Sequence, residues 1–271
     1  MFETPFLPLL VLPLLVLPPS IEWVQDTTTA KTTWGDIGDW DVSGVADFSF
    51  AFSLHRDVTG GTSVRNFDRC PSCLVPGVTN GNPKAATFVG TAMSKWTTTS
   101  ATSLKCTFYL AGEMNSDLSK WDVAKVTTLW STFGSASKFA GAGLGSWDTA
   151  SVTTLTGTFI NAGEMNSDFS GWNVAKVTML GSTFDSASKF AGTGLALWDV
   201  TKVTSSPCCG DPDWGMSNTF KLATSITSCT KRRIADAWKS NVAFATWNTA
   251  WAADACPPLT DATFKQASWG T

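Results

Sequence analysis

The sequence has little from which to build a conventional catalytic centre. It contains one histidine, His55, and one tyrosine, and only 15% of its residues are charged. Nucleophilic and acid–base catalysis need such groups in combination, and no reactive combination recurs along the chain. We therefore expect no catalytic residues, no metal and no cofactor.

Strong charge and long apolar runs are also missing. The net charge of -3 gives no electrostatic reason to bind nucleic acid. The longest apolar run, residues 6–17, is too short to cross a bilayer, so no transmembrane segment is predicted. It has the length of a signal-peptide core, but no Lys or Arg precedes it and Pro8 and Pro13 interrupt it. Residues 1–20 are thus either a signal peptide or a leader that is not processed.

What the sequence does contain is a tryptophan that returns at intervals of 25 or 26 residues. A fixed period of this size is typical of a repeat protein. Residues 114–153 and 165–204 are identical at 28 of 40 positions, which indicates duplication of a two-repeat unit. We call each repeat a rung and predict that its tryptophan lies in the core. The six are Trp40, Trp96, Trp121, Trp147, Trp172 and Trp198.

Within a rung, the apolar spacing predicts a strand and then a helix. The first part has the spacing of a leucine-rich-repeat strand segment, and the second has apolar residues at steps of four, three and three. In the third rung these sets are Leu118, Trp121, Val123 and Val126, then Leu129, Phe133, Ala136 and Phe139. The predicted fold class is α/β, a leucine-rich-repeat-like solenoid of about six strand-turn-helix rungs with a small helical C-terminal cap.

The stretch 107–129, which contains Trp121-Asp-Val-Ala-Lys-Val-Thr, resembles the 26-residue surface-protein repeat of the BspA-like family, also called DUF285. The resemblance covers residues 34–52 and 93–204. It implies a leucine-rich-repeat-like solenoid in an extracellular or surface protein, often credited with adhesion, and it implies no catalytic residues. Two rungs depart from the pattern, because Thr97 replaces the Asp after Trp96 and the Trp198 rung loses its Phe to Cys209-Gly210.

Breaks in the period divide the chain. We expect an apolar leader at 1–20, a first rung at 34–52, a loop insert at 53–87, the repeats at 88–206 and a Cys- and Trp-rich capping module at 207–271. The insert is rich in Gly, Pro, Asn and Asp and carries Cys70-Pro-Ser-Cys73.

Seven cysteines favour disulfide bonding. Cys229 and Cys256 flank two predicted helices, 231–240 and 242–251, which can bring the two thiols together by folding back. The alternative is a zinc site formed by Cys70, Cys73, Cys208 and Cys209. Vicinal cysteines are a poor metal spacing, so no metal site is expected. Cys106 is predicted to be a small filler in the packing.

Two exposed polar columns are candidates for function. One contains the acidic or amide residue after each tryptophan, and the candidate ligand contacts are Lys120, Asp122, Asp148, Asn173 and Asp199. Such residues either bind a ligand or close their own turns, and we favour turns. The other column is Thr102, Thr127, Thr153, Thr178 and Thr204. We predict that these threonines cap the helices, with ice binding as the alternative.

In the capping module, Thr230 is a candidate helix cap, and Ile234, Trp238 and Val242 form one helical stripe. Buried, the tryptophans of this module would cover the open end of the repeats; exposed, they could stack on sugar rings.

The sequence therefore predicts a non-enzymatic secreted or surface protein that mediates adhesion or protein–protein interaction, with a protein or a cell-surface glycan as partner. One alternative is a carbohydrate-binding module that uses the C-terminal tryptophans, and a third is an ice-interacting protein. If the leader is not a signal peptide, the alternative location is intracellular.

Overall fold

The computed structural model describes residues 24–56, 82–204, 215–247, 249–253 and 256. The leader at 1–20, the Cys70 and Cys73 pair and Cys208 and Cys209 lie outside these ranges. Three α-helices are described: α1 (Thr27–Trp34), α2 (Ser228–Trp238) and α3 (Val242–Trp247). The short 3-10 helices are Ile37–Asp39, Pro83–Thr87, Thr91–Lys95, Leu144–Ser146, Leu195–Leu197 and Thr249–Ala253.

The prediction of an α/β leucine-rich-repeat solenoid is wrong. The described residues form no sheet, and their strand-like pairings are isolated bridges. Four parallel bridges connect successive rungs: Asp47 with Ser103, Ser103 with Thr128, Thr128 with Thr154, and Thr154 with Met179. The strand predicted at 121–123 has no regular secondary structure, and the helix predicted at 129–139 is a series of turns.

Left-handed residues explain why that helix does not form. Ser131 and Ser135 have φ angles of 50° and 56°, which an α-helix of L-residues cannot accommodate. Between them the backbone makes tight turns, in which Thr132 and Gly134 donate to the carbonyl three residues earlier. The spacing of four, three and three therefore comes from successive turns, which place Leu129, Phe133, Ala136 and Phe139 in the core.

The rungs are joined by backbone hydrogen bonds along one segment of each repeat. We call it the ladder segment; it comprises residues 46–54, 102–110, 127–135, 153–161, 178–186 and 215–222. Alternate N–H groups of one rung donate to carbonyls of the following rung. In the third rung, Leu129, Ser131, Phe133 and Ser135 donate to Thr154, Thr156, Thr158 and Ile160 at 2.7–3.2 Å.

The tryptophans form a column through the core. From Trp96 onward, each indole Nε1 donates to a carbonyl of the preceding rung; Trp121, for example, bonds Met93 O at 3.2 Å and Trp172 bonds Leu144 O at 2.8 Å. The rings of Trp147 and Trp172 stack with centroids 6.3 Å apart. Trp40 is partly buried, and the five tryptophans that follow it are buried: Trp96, Trp121, Trp147, Trp172 and Trp198.

A phenylalanine column runs beside the tryptophans. Its members are Phe52, Phe108, Phe133, Phe159, Phe184 and Phe220, and neighbouring rings stack 5.6–5.8 Å apart. The Trp198 rung therefore keeps a phenylalanine, contrary to the sequence-based expectation. Phe220 takes that place after residues 205–214, and this separation concealed it from the repeat pattern.

Buried threonines connect adjacent rungs at a third position. Thr132 Oγ1 lies 2.9 Å from Leu104 O of the preceding rung and 2.8 Å from Leu129 O of its own. The equivalent residues are Thr107, Thr158, Thr183 and Thr219. Each of these buried hydroxyl groups thus has hydrogen-bond partners inside the core.

The first rung continues beyond the insert. Phe88 stacks on Phe52 at 4.7 Å, as Phe139 stacks on Phe133 at 4.3 Å. The backbone N–H of Asn82 donates to Leu54 O. Residues 82–88, most of which we had assigned to the insert, therefore complete the first rung.

The C-terminal module closes the stack. Trp238 of α2 donates to Leu195 O at 3.0 Å, and its ring stacks on Trp198 at 6.3 Å, so it occupies the position of a further core tryptophan. Thr227, rather than Thr230, caps α2. A disulfide joins Cys229 to Cys256, with their Cα atoms 4.5 Å apart.

We expect Trp147→Ala to lower the free energy of unfolding by about 3–5 kcal/mol, because it leaves a cavity and removes the indole hydrogen bond to Leu118 O. Calorimetry of the wild type and variant checks this. Trp147→Phe, which retains most of the ring, should lose less. An unchanged melting temperature in Trp147→Ala would refute the core role of this column.

Candidate interaction surface

The side chains that follow the core tryptophans close turns. Asp122 Oδ1 accepts the N–H of Ala124 at 3.0 Å, and Asp148 Oδ1 accepts that of Ala150 at 3.0 Å. Asn173 and Asp199 make the same contact at 3.1 and 3.0 Å. All four are exposed, and this geometry is that of Asx turns.

Individual members of this set differ in their surroundings. The Thr201 hydroxyl donates to Asp199 at 2.6 Å and, with the Thr201 N–H, lowers the pKa of that carboxyl. Lys120, the remaining candidate ligand contact, is exposed in the turn before Trp121. The candidates share one side of the stack, but their shared geometry is explained by the turns.

The exposed threonine column links rungs and does not cap helices. Thr127 Oγ1 donates to Thr102 O at 3.2 Å, and Thr153 Oγ1 donates to Thr127 O at 3.0 Å. No helix begins at these positions in the described part of the chain, so the capping prediction is wrong. Because the hydroxyl protons of Thr102, Thr127, Thr153 and Thr178 are used between rungs, these four threonines do not present free donors to an ice lattice.

The ladder segments also carry side chains that lie outside the main core. We call this surface the outer face and define it by four positions per rung. Its residues in the second to fifth rungs are Lys105, Cys106, Tyr109, Leu110, Trp130, Ser131, Gly134, Ser135, Thr156, Gly157, Ile160, Asn161, Gly181, Ser182, Asp185 and Ser186. Most of these residues are small, so the few large side chains depart clearly from the repeat pattern.

Trp130 is the largest departure on the outer face. It is partly exposed and stands where neighbouring rungs have Lys105 and Thr156. The Lys105 ammonium lies 4.8 Å from the centre of the Trp130 ring, a cation–π contact. The indole Nε1 is shielded from solvent and has no hydrogen-bond acceptor. An unpaired buried donor lowers stability, so the fold does not explain this tryptophan.

Beside Trp130, a small apolar cluster separate from the main core contains Phe50, Cys106 and Tyr109. A Cβ atom added to Gly134 would lie 2.7 Å from Tyr109 Cδ2, so only glycine leaves room for the tyrosine ring. His55 packs against the same ring, with centroids 5.2 Å apart. The cluster is thus a second, smaller packed core, since its members and His55 are all buried.

Burial changes the ionisation of these groups. It raises the pKa of Cys106 to about 12 and that of Tyr109 to about 12. It lowers the pKa of His55, which favours the neutral imidazole. Neighbouring Arg56 is also buried, and its desolvation lowers the guanidinium pKa. A thiol protonated at neutral pH is a poor nucleophile, consistent with a packing role for Cys106.

The sequence reasoning did not select Lys105, Tyr109 or Trp130 as functional residues. A signal was available, because each replaces a small or polar residue that other rungs place at the same position. It was missed because these positions were assigned to a helix, whose periodicity mixes the outer-face positions with core positions.

The closing-module tryptophans are poor candidates for sugar binding. Trp238 is fully buried, and partly exposed Trp251 packs on Phe220 at 4.8 Å. Lys231 lies 5.8 Å from the Trp251 ring. The side chain of Trp247 is outside what the structure describes. The lysine therefore competes with a sugar for the accessible Trp251 ring.

One cleft of about 370 Å³ lies beside α1 at the N-terminal end of the stack. Its lining includes the apolar residues Ile37 and Phe88 and the two lysines Lys31 and Lys84. Both cations are already engaged, Lys31 with Asp36 at 3.1 Å and Lys84 with Gln25 O. The cleft thus has apolar walls but no uncommitted lysine.

Within the described ranges, no three His, Cys, Asp or Glu side chains converge as a possible metal site. None of the helices there has the length and apolar character needed to cross a bilayer.

The family model described as "Mycoplasma protein of unknown function, DUF285" matches residues 82–143 and 102–209. No curated protein and no solved structure matches the chain.

The raised pKa values predict a loss of stability in alkali. The Cys106 thiol ionises near 9.0 when unfolded and about 12 when folded, and Tyr109 shifts from 10.0 to about 12. Stability is therefore complete below about pH 9 and declines as pH rises toward 12. Cys106→Ser should reduce this decline because it removes the thiol. Serine fits the position, since Ser131 and Ser182 occupy equivalent left-handed positions in other rungs. Urea unfolding of the wild type and the variant at about pH 7 and about pH 10.5 measures the change in the free energy of unfolding. An equal decline in both proteins would contradict the prediction.

Proposed function

We propose that the chain, whose residues 82–209 match the DUF285 family model, is a non-enzymatic surface or secreted protein that mediates adhesion by binding another protein. The family description gives no activity. The proposal is supported by the roles of the recurrent polar residues, which close turns and connect rungs. These roles account for the repeated polar pattern without a reacting group.

The observation that carries the proposal is the position of Trp130 on the outer face. It is a partly exposed tryptophan at a position that holds Lys105 in the preceding rung and Thr156 in the following one, and its unpaired indole N–H gives the fold no benefit. Tryptophan, tyrosine and arginine dominate the binding energy of protein interfaces, usually at the centre of a contact patch. Trp130 and Lys105, which are both partly exposed, provide such a patch.

A protein partner suits this surface better than a glycan. Sugar rings stack on an open aromatic face, whereas Lys105 covers a face of Trp130. The lysine also brings a positive charge, which favours a partner with a carboxylate beside an apolar surface.

Trp130→Thr is the direct test, because Thr156 shows that threonine fits this position. The wild-type protein should bind at least one protein on an array of extracellular proteins. Trp130→Thr should weaken that binding by at least about 30-fold, equivalent to losing one interface hot spot of about 2 kcal/mol. Biolayer interferometry with the bound array protein measures the change.

Asp148→Asn is the matched control, since Asn173 occupies the equivalent turn. It should leave both the melting temperature and the affinity unchanged. If Asp148→Asn abolishes binding and Trp130→Thr does not, the contact surface is the acidic column. Binding only to a parallel glycan array would overturn the protein-partner proposal.

The proposed location outside the cytosol is supported by the disulfide. Cys256 is exposed and Cys229 partly exposed, so a reducing cytosol would act on the bond directly. Such a bond is suited to an oxidising compartment.

Non-reduced peptide mapping of native protein should recover a Cys229–Cys256 linked peptide, and it should identify Cys106 as a free, buried thiol that alkylates only after unfolding. Reduction should lower the free energy of unfolding by about 3 kcal/mol, since the bond closes a loop of 27 residues. Recovery of Cys229 and Cys256 as alkylated thiols would favour an intracellular scaffold.

A further inference from the structure

The cleft at the N-terminal end of the stack lies where α1 stands in place of a preceding rung. Its volume is about 370 Å³, and it is lined by Thr27 and Lys31 of α1 and by several residues of the segment 84–92, which we call the return segment. The helix α1, which is described throughout, buries one side chain, that of Ala30. Because α1 presents so little apolar surface, it does not fill the space that a rung fills at the interior junctions.

Phe88 of the return segment shows what this gap leaves open. In the interior rungs the equivalent side chains are fully buried; they are Met114, Phe139, Met165 and Phe190. Phe88 stacks on Phe52 with ring centroids 4.7 Å apart, but it is only partly buried and lines the cleft. Apolar surface left in water costs free energy, so covering Phe88 with an apolar group is favourable.

Val89 is a second departure from the repeat. Its side chain is 46% exposed and also lines the cleft. The equivalent residues are Ala140 and Ala191 in turns of the same length, and Asn115 and Asn166 in the shorter turns. The backbone at Val89 and Ala140 is used alike, because each carbonyl accepts an N–H of the following rung. The repeat therefore needs no apolar side chain of this size here, and Val89 is available to a ligand.

The charged side chains of the cleft have a positive balance. Lys31 and Lys84 both line it, and Asp36 is the acidic residue of the lining. The Asp36 carboxylate accepts the Gly38 N–H at 3.0 Å and pairs with the Lys31 ammonium at 3.1 Å, and these contacts hold its pKa below the usual range. The negative charge of the lining is thus already compensated, whereas one lysine charge is not.

Both ammonium groups are engaged once and retain donors for a ligand. An ammonium has three N–H donors. Within the described part of the chain, Lys31 uses one for Asp36 and Lys84 uses one for Gln25 O. The Asp26 carboxylate lies near Lys84 but accepts the first N–H groups of α1, which it caps. An anion can therefore bind in the cleft without displacing either lysine contact.

We propose that this cleft binds a small amphipathic carboxylate. The apolar body packs against Ile37, Phe88 and Val89, and the carboxylate accepts hydrogen bonds from Lys31 and Lys84. The cleft volume lies within the range of about 300–1,000 Å³ that is usual for small-molecule sites. A neutral apolar molecule leaves the ammonium donors unused, and a cationic one is repelled by them. The site includes no residue of the outer face, so it is separate from the proposed protein-binding surface.

Titration of the full-length protein with sodium octanoate, followed by amide NMR shifts, tests the proposal. Octanoate should shift the signals of Val89, Thr91 and Ala92 in a saturable way at millimolar concentration or below. Octylammonium has an apolar chain of the same kind and the opposite charge, and it should leave these signals unshifted at the same concentration. The interior amides of Leu129 and Phe133 should respond to neither compound.

Two lysine substitutions test the charge. Lys31→Gln combined with Lys84→Gln should weaken octanoate binding at least about tenfold, since it removes both charged donors. Lys120→Gln removes an exposed lysine of another rung and is the matched control, so it should leave the affinity unchanged. Equal affinity of the double variant and the wild type would overturn the proposal.

A second pair of variants guards against loosening of α1 in the double lysine variant. Val89→Asp and Val89→Asn both keep the two lysines and alter an exposed position, and they differ from each other in charge alone. Asparagine fits there, since Asn115 and Asn166 occupy equivalent positions. Val89→Asp should bind octanoate at least about threefold more weakly than Val89→Asn, because the added carboxylate repels the ligand. Equal affinities of these two variants would contradict a carboxylate site.

Three further outcomes would overturn the proposal. The absence of a saturable shift with octanoate would remove the ligand. Equal shifts with octanoate and octylammonium would reduce the cleft to an apolar surface. Shifts of the same amides that grow with protein concentration in the absence of octanoate would assign the cleft to a second copy of the chain. None of these measurements involves Trp130, so they fail or succeed independently of the proposed binding function.

Discussion

The bonds between rungs are the constraint on which the structure depends. Each rung uses alternate backbone N–H groups for its neighbour and the remainder for its own tight turns. Because a rung alone would leave those donors and its aromatic face unsatisfied, neighbouring rungs complete one another. Side chains add further hydrogen bonds between rungs: the Trp147 indole and the Thr158 hydroxyl both donate to backbone carbonyls of the third rung.

The period and burial were readable from the sequence, but the secondary structure was not. Leu129, Phe133 and Ala136 are in the core because apolar spacing reports which side chains are hidden. It does not report backbone conformation, since turns with left-handed Ser131 and Ser135 produce nearly the spacing of a helix. No glycine marks these two positions, so the usual sequence signal for a left-handed residue was missing.

The same limit applies to the candidate surface. The repeating Asp residues were candidates because of their regular spacing. A residue that recurs in every rung can have a structural role in the rung itself, and Asp122 and Asp148 close their turns. Trp130 and Lys105 were passed over because they interrupt the pattern. In a protein whose every layer must meet equivalent neighbours, a side chain that one layer alone carries on an exposed face is less constrained by packing and more informative about partners.

In the helix α2, Trp238 takes the position that a core tryptophan has in a rung. It therefore stacks on Trp198 as the tryptophan of a following rung would. The C-terminal module therefore packs on a surface that several rungs of this chain have in common. The 28 identities in 40 positions between residues 114–153 and 165–204 indicate that a two-rung unit was duplicated between the two ends. Chain length in this architecture is an evolutionary variable that is separate from how the ends are sealed.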